Sequence, residues 1–299
     1  MKIILTGATG FIGQPLLNHL LQKGHSVTAM VRKATDAASL PCAAQEWPTG
    51  KNAAENLKTI FKGMDAVIHL AGAPVAQGRW TEKRKRNIYD SRIGTTRQIV
   101  EALALLPPGE RPSTLLNASA IGIYGDAGDK ILTEDSIAGA GFLAKVTDDW
   151  EAAALKAKAL NVRIVLLRNG IVLGPDGGAL AKMQPVTLGT GNQWMSWAHI
   201  NDVVGFIEYA LINQNAHGAY NLTAPNPETN LNFTKKLAEA RKLPVLGKIP
   251  AFALKILMGE MATMILASQR VTPKRATTEG FRFRFETLEA ALAEIYPPS

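Results

Sequence analysis

The sequence predicts an α/β fold, a doubly wound parallel sheet with a smaller C-terminal α/β lobe. Three observations carry this. Apolar runs of strand length (Ile3 to Leu5, Val27 to Val31, Ala66 to Leu70, Leu115-Leu116, Ile164 to Leu167) alternate with longer stretches of helical apolar spacing. A parallel strand pair needs a crossover, usually a helix, so this alternation argues a parallel sheet covered on both faces. The first run opens directly into Gly7-Ala8-Thr9-Gly10-Phe11-Ile12-Gly13, a strand–turn–helix signature. From Asp176 the alternation loosens into glycine-rich loop and helices, which suits a second, smaller unit. The expected division is residues 1–175, with 199–219 returning, for the sheet domain, and 176–198 with 220–299 for the lobe.

The opening stretch carries the chemistry. Phe11, Ile12, Leu16, Leu17, Leu20 and Leu21 fall at helical spacing up to Gly24. Ahead of them, Gly7 permits a tight turn out of the strand, and Gly10 lets backbone approach a pyrophosphate. Gly13 lets the helix pack close on the sheet. The helix N-terminus adds unpaired N–H groups and partial positive charge. Gly7, Thr9, Gly10, Phe11, Ile12 and Gly13 are therefore expected to hold a dinucleotide in a Rossmann-type site. The second strand, Ser26 to Val31, ends on Arg32-Lys33 where an NAD site places a carboxylate for the ribose 2′-hydroxyl. A cation there pairs the 2′-phosphate of NADP instead. Arg32 is the expected phosphate ligand with Lys33 in support, and NADP (NADPH) the expected cofactor. The bland alternative is two exposed loop cations.

The rest of the chain supplies further candidates. A short strand is expected around Gln45 to Trp47 and a short helix over Asn56 to Phe61. The strand from Ala66 runs into Leu70-Ala71-Gly72, whose small side chains permit close approach of a cofactor. His69, between Ile68 and Leu70, reads as a packed histidine. One long helix is expected over residues 81–105, polar across Lys83 to Arg86 and ended by Pro107-Pro108. The strand from Thr114 leads through Ala118 and Ser119 to Tyr124-Gly125. A hydroxyl just past a strand end and a tyrosine five residues on are material for carbonyl polarisation and proton transfer, so Ser119 and Tyr124 are the catalytic candidates. Helix Phe142 to Leu160 and strand Arg163 to Arg168 follow. That strand opens into Asn169-Gly170, expected to border the cofactor together with Ala118. Asp202 is the expected cap of a helix over Val203 to Leu211. Helices at 232–241, 252–264 and 288–295 complete the lobe. Trp194, on its loop, and Arg275, after Pro273, are the substrate candidates, the arginine for an anionic group.

Composition narrows the partners. At 299 residues and 46% apolar content the chain can bury a full core. It lacks a continuous apolar run of about 18 residues and a charged-then-apolar leader, so a soluble, cytoplasmic protein with no membrane partner is expected. A single cysteine, Cys42, leaves no intramolecular disulfide and no thiol-rich metal site, and no metal is expected. The net charge of +8 is scattered apart from Lys83 to Arg86 and a C-terminal set, and no aromatic pattern interleaves with it. That argues against nucleic acid and for small anionic ligands, the cofactor among them.

With these segments placed, the chain resembles the extended, epimerase-like branch of the short-chain dehydrogenase/reductase superfamily over nearly its whole length. The resemblance rests on Thr6 to Gly13, Val67 to Gly72, Ala118-Ser119 to Tyr124-Gly125, and Leu167-Arg168 leading to Gly174. It is similar in particular to a subfamily of "epimerase family" proteins in Trp150-Glu151-Ala152-Ala153, Trp197-x-His199-Ile200-x-Asp202 and Pro273-Lys274-Arg275. Gly280-Phe281-x-Phe283 before Leu288-Glu289 resembles that subfamily's C-terminal domain of unknown function. The resemblance implies a Rossmann domain binding a nicotinamide cofactor, with Ser119 as counterpart of the superfamily's serine. Anchoring on Tyr124 places Ala120 there instead. The superfamily's Tyr-x-x-x-Lys pair is missing: those positions fall on Leu143 and Thr147. Two functions follow as expectations. One is an NADP-dependent, epimerase-like oxidoreductase on a small molecule, with reduction favoured because an unassisted tyrosine can act as a neutral acid. The other is an NADP(H)-binding sensor or interaction protein with little turnover.

Overall fold

Seven parallel strands form the central sheet of the computed structural model, which describes residues 1–297. They are β1 (Lys2–Thr6), β2 (Ser26–Val31), β3 (Ala43–Glu46), β4 (Ala66–His69), β5 (Thr114–Ala120), β6 (Arg163–Asn169) and β7 (Gly218–Leu222). Their spatial order is β7-β6-β5-β4-β1-β2-β3. The order reverses between β1 and β4, and in such sheets a crevice opens outside the carboxyl ends at that point. Register brings those ends level. Thr6 lies beside Met30 and His69, and His69 lies beside Asn117. Gly7, Arg32 and Leu70 therefore leave the sheet along one edge, beside Ala118 near the end of β5.

Side chains alternate across each strand, so each face builds its own core. Helices α1 (Gly13–Gln22) and, later in the chain, α6 (Ile200–Ile212) cover one face. There Leu16, Leu17 and Leu20 meet Ile3, Leu5, Phe206 and Ile207. The opposite face carries α2 (Ala53–Phe61), α4 (Thr95–Ala104) and α5 (Phe142–Leu155), reached after α3 (Glu82–Tyr89). Leu57, Phe61, Ile99, Leu103 and Ala154 pack there on Ile4, Val67, Leu115 and Ile164. Truncating one such leucine to alanine costs about 2–5 kcal/mol.

Helices α7 (Asn230–Ala240), α8 (Ala251–Met258), α9 (Ala262–Leu266) and α11 (Leu288–Ile295) build the lobe, while α10 (Lys274–Thr278) puts Ala276 into the core on the α1 face of the sheet. Short pairings join Trp194–Met195 to Glu228–Thr229 and Thr187–Leu188 to Lys248–Ile249. Its core gathers Phe233, Leu237, Phe285, Leu288 and Leu292 around the fully buried Trp197. No helix among the described residues is long and apolar enough to cross a membrane.

Four expectations change. The long helix at 81–105 is interrupted by a π turn over Asp90–Gly94. The helix expected at 252–264 breaks at Gly259, whose φ of +61° is left-handed and cannot continue a right-handed helix. The boundary at residue 219 cuts β7, which continues to Leu222 as part of the sheet. Asp202 is not the cap of α6. His199 is, its Nδ1 accepting from Asn201 N at 3.2 Å, while both Asp202 oxygens accept backbone N–H groups of Arg284 and Phe285.

Candidate functional site

At the carboxyl edge, the glycine turn has the geometry its sequence requires. Gly7 adopts φ +75°, and Gly10 N donates to Gly7 O at 2.9 Å, closing the turn. A Cβ on Gly13 would sit 2.0 Å from Gly7 O, so only glycine lets α1 start this close to β1. Thr9 and Gly10 are exposed, leaving their backbone open to a ligand. Phe11 turns away: its ring lies where Cβ atoms on Gly174 or Gly178 would intrude, at 3.0 and 2.5 Å, so its backbone and not its ring faces the turn's open side. Arg32 and Lys33 follow β2 beside this turn, exposed and without an ion-pair partner among the described residues.

The neighbouring β4 end is fastened to β1. Thr6 Oγ1 accepts from Leu70 N and Ala71 N, both at 3.1 Å, and lies 2.7 Å from His69 Nδ1. Having accepted twice, the hydroxyl gives its own proton to Nδ1, which leaves Nε2–H facing Thr95 Oγ1 at 3.3 Å. Burial, with Arg92 nearby, pushes the imidazole pKa down to about 3. His69 is a neutral structural histidine. Gly72 makes room for protein: a Cβ there would meet Arg92 Cζ at 3.1 Å. Gly170 likewise accommodates Ser196 O at 2.7 Å from its would-be Cβ, and Asn169 donates to Leu167 O at 3.1 Å. Ala118, at the β5 end, packs beside Trp80 and Trp150.

The catalytic candidates Ser119 and Tyr124 are held by protein partners. Ser119 Oγ donates to Glu151 Oε1 at 2.5 Å. Arg168 grips the same carboxylate with Nε and Nη2, each at 2.8 Å, and its Nη1 donates to Tyr124 Oη at 2.9 Å. Tyr124 in turn donates to Asn221 Oδ1 at 2.7 Å. Ser119 and Tyr124 are each 3% exposed, so neither hydroxyl faces a carbonyl in an open cleft. Burial raises the Tyr124 pKa even with Arg168 opposing it, so no phenolate forms at neutral pH. On α5, Thr147 Oγ1 donates to Leu143 O within the helix. Those two side chains face Gly122, 3.6 Å (Leu143) and 3.8 Å (Thr147) from its would-be Cβ.

The substrate candidates Arg275 and Trp194 are likewise held by protein groups. Arg275 Nη1 donates to His217 O and Ala219 O, and Nη2 to Glu279 Oε1 at 3.0 Å, with the guanidinium over the Tyr220 ring. This places it at the amino end of β7, away from the crevice. Trp194 donates to Asp129 Oδ1 at 3.0 Å, and Arg270 lies 4.2 Å over its ring.

Residues 3–223 match the model of the NAD dependent epimerase/dehydratase family. The chain belongs to that family. Residues 249–295 match a domain of unknown function, DUF1731. The epimerase family protein SDR39U1 homolog, chloroplastic, of Arabidopsis thaliana is 39% identical, covering 99% of this chain and 86% of that one. Epimerase family protein YfhF of Bacillus subtilis is 37% identical over 99% and 98%. The crystal structure of human epimerase family protein SDR39U1 with NADPH superposes with a TM-score of 0.87 at 28% identity, covering 99% of both chains.

On α5, Leu143 and Thr147 supply neither an acid nor a cation. Two arginines missed in the sequence stand nearby. Arg92 lies over the Trp150 indole at 5.2 Å, and Arg84 reaches Pro74 O. In the sequence the run Lys83 to Arg86 stands out only as the polar, basic start of a helix. Only the π turn and the chain reversal after β4 bring Arg84 and Arg92 to one loop, and local spacing gives no sign of either.

Proposed function

We propose that this chain binds NADP(H) along the carboxyl edge of β2, β1 and β4, with NADPH preferred over NADH. One observation carries the preference. Arg32 stands exposed beside the glycine turn with no ion-pair partner among the described residues, so its charge is available for a 2′-phosphate. The human relative, crystallised with NADPH, supports the same reading. Titration of both cofactors against unmodified protein and Arg32→Ala tests it. NADPH should bind more tightly by about tenfold or more, and the variant should lose most of that difference. Equal affinities in the unmodified protein would reject the preference.

On chemistry, the buried hydroxyls of Ser119 and Tyr124 favour a cofactor-binding protein with little turnover through either residue. The second reading, an NADP-dependent oxidoreductase on a small anionic molecule, draws support from the unpaired arginines at the β4 exit. Oxidation of NADPH in the presence of a panel of carbonyl compounds and nucleotide sugars separates the two.

A further inference from the structure

The segment after β4 is held by two guanidinium groups on consecutive carbonyls. Arg92 Nη1 donates to Ala73 O at 2.9 Å and to Ile88 O at 3.1 Å, while Arg84 Nη2 donates to Pro74 O. Adjacent carbonyls place the two cations side by side. Neither has an ion-pair partner among the described residues, and two nearby carboxylates, of Glu82 and Glu260, both bind Lys85 instead. Arg84 Nε is buried with no acceptor. Like charges brought together and partly desolvated are unfavourable unless something negative joins them. Burial and the neighbouring Arg84 pull the Arg92 pKa down to about 10, so it stays charged at neutral pH while carrying that repulsion.

The surroundings hold this arrangement in place. Arg92 belongs to the π turn, a distortion that often re-aims a side chain at a functional site. Its guanidinium lies over Trp150, whose indole N–H is fixed by Thr96 Oγ1 at 2.9 Å. On its other side it fills the space that Gly72 leaves by having no Cβ. Gly72 is itself exposed at the strand end, so this cation pair borders the crevice.

We propose that Arg84 and Arg92 form an anion subsite at the exit of β4 that takes a phosphate group of a bound small molecule. Two adjacent cations with several free N–H donors match a doubly charged phosphate better than a carboxylate. The phosphate comes either from the cofactor or from a second ligand. The subsite rests on the reading of the edge as an NADP(H) site.

The test uses inorganic phosphate and NADPH as probes on unmodified protein, Arg92→Met and Arg32→Ala. Methionine keeps packing against Trp150 without the charge. Phosphate should bind the cofactor-free protein, and Arg92→Met should weaken it by about tenfold or more. If NADPH blocks phosphate and the variant loses NADPH affinity by a similar factor, the subsite holds the cofactor's phosphate. If phosphate still binds NADPH-saturated protein and NADPH affinity is unchanged, it serves a second ligand. Phosphate binding lost in Arg32→Ala but intact in a folded Arg92→Met overturns the proposal, as does a folded Arg92→Met with both titrations unchanged. Arg84→Met repeats the test should Arg92→Met fail to fold. If NADPH does not bind the unmodified protein, the cofactor reading fails, while the phosphate titration still decides the subsite.

Discussion

Arg168 and Glu151 form a two-pronged ion pair inside the protein, Nε to Oε1 and Nη2 to Oε2 both at 2.8 Å, with side chains 10% and 7% exposed. Ser119 and Tyr124 hang from this pair, which fixes the exit of β5 against α5 and β6. Removing one partner of a buried pair leaves the other charge uncompensated. Glu151→Gln should therefore destabilise the protein by about 3–5 kcal/mol. Ser119→Ala leaves the pair intact and should cost about 1 kcal/mol. Urea unfolding of both variants checks the ranking, and a Ser119→Ala loss equal to that of Glu151→Gln would show that the pair is not the anchor.

What the sequence revealed follows from how local each requirement is. Gly7, Gly10 and Gly13 answer to a turn and a close helix contact within a dozen residues, so their spacing alone announces them. The strands were legible for the same reason, since Ile3 to Leu5 must be apolar on both faces of a covered sheet. The partners of Ser119 and Tyr124 were not legible because they are far away in the chain. Glu151 is 32 residues from Ser119, and Asn221 is 97 from Tyr124. Arg275 likewise answers to distant groups, the carbonyls of His217 and Ala219. Arg92 was hidden by the π turn, because a helix of regular pitch aims that position elsewhere.

His69 sets an acid limit on stability. Its pKa falls from an ordinary 6.5 to about 3 in the folded protein. Between those values the unfolded chain takes up a proton that the folded one refuses. The stabilising contribution is complete above the unfolded value and is lost as pH falls toward the folded one, at up to about 1.4 kcal/mol per pH unit. His199, pushed down to about 4 mainly by burial, acts with the same sign. Unfolding free energies of unmodified protein and His69→Asn, measured from about pH 7.5 down to about pH 5, should show a slope smaller by roughly one proton in the variant. An unchanged slope would place the titration elsewhere.

Asp202 is expected to latch the C-terminal segment onto the sheet domain. Its Oδ1 accepts from Arg284 N at 2.8 Å and its Oδ2 from Phe285 N at 3.0 Å. The Phe285 ring meets the His199 ring at 4.0 Å between centroids and enters the lobe core beside Trp197. The stretch from Trp197 to Asp202 thus joins the two units through one residue of core, one ring contact and one carboxylate. Asp202→Ala leaves two backbone N–H groups without acceptors, which costs about 2–5 kcal/mol. Asp202→Asn retains one acceptor and should lose about half of that. The loss should concentrate locally. Trypsin should cut after Arg282 and Arg284 faster in Asp202→Ala than in unmodified protein. Equal cleavage rates at those two arginines would mean that packing of Phe285 alone holds the segment.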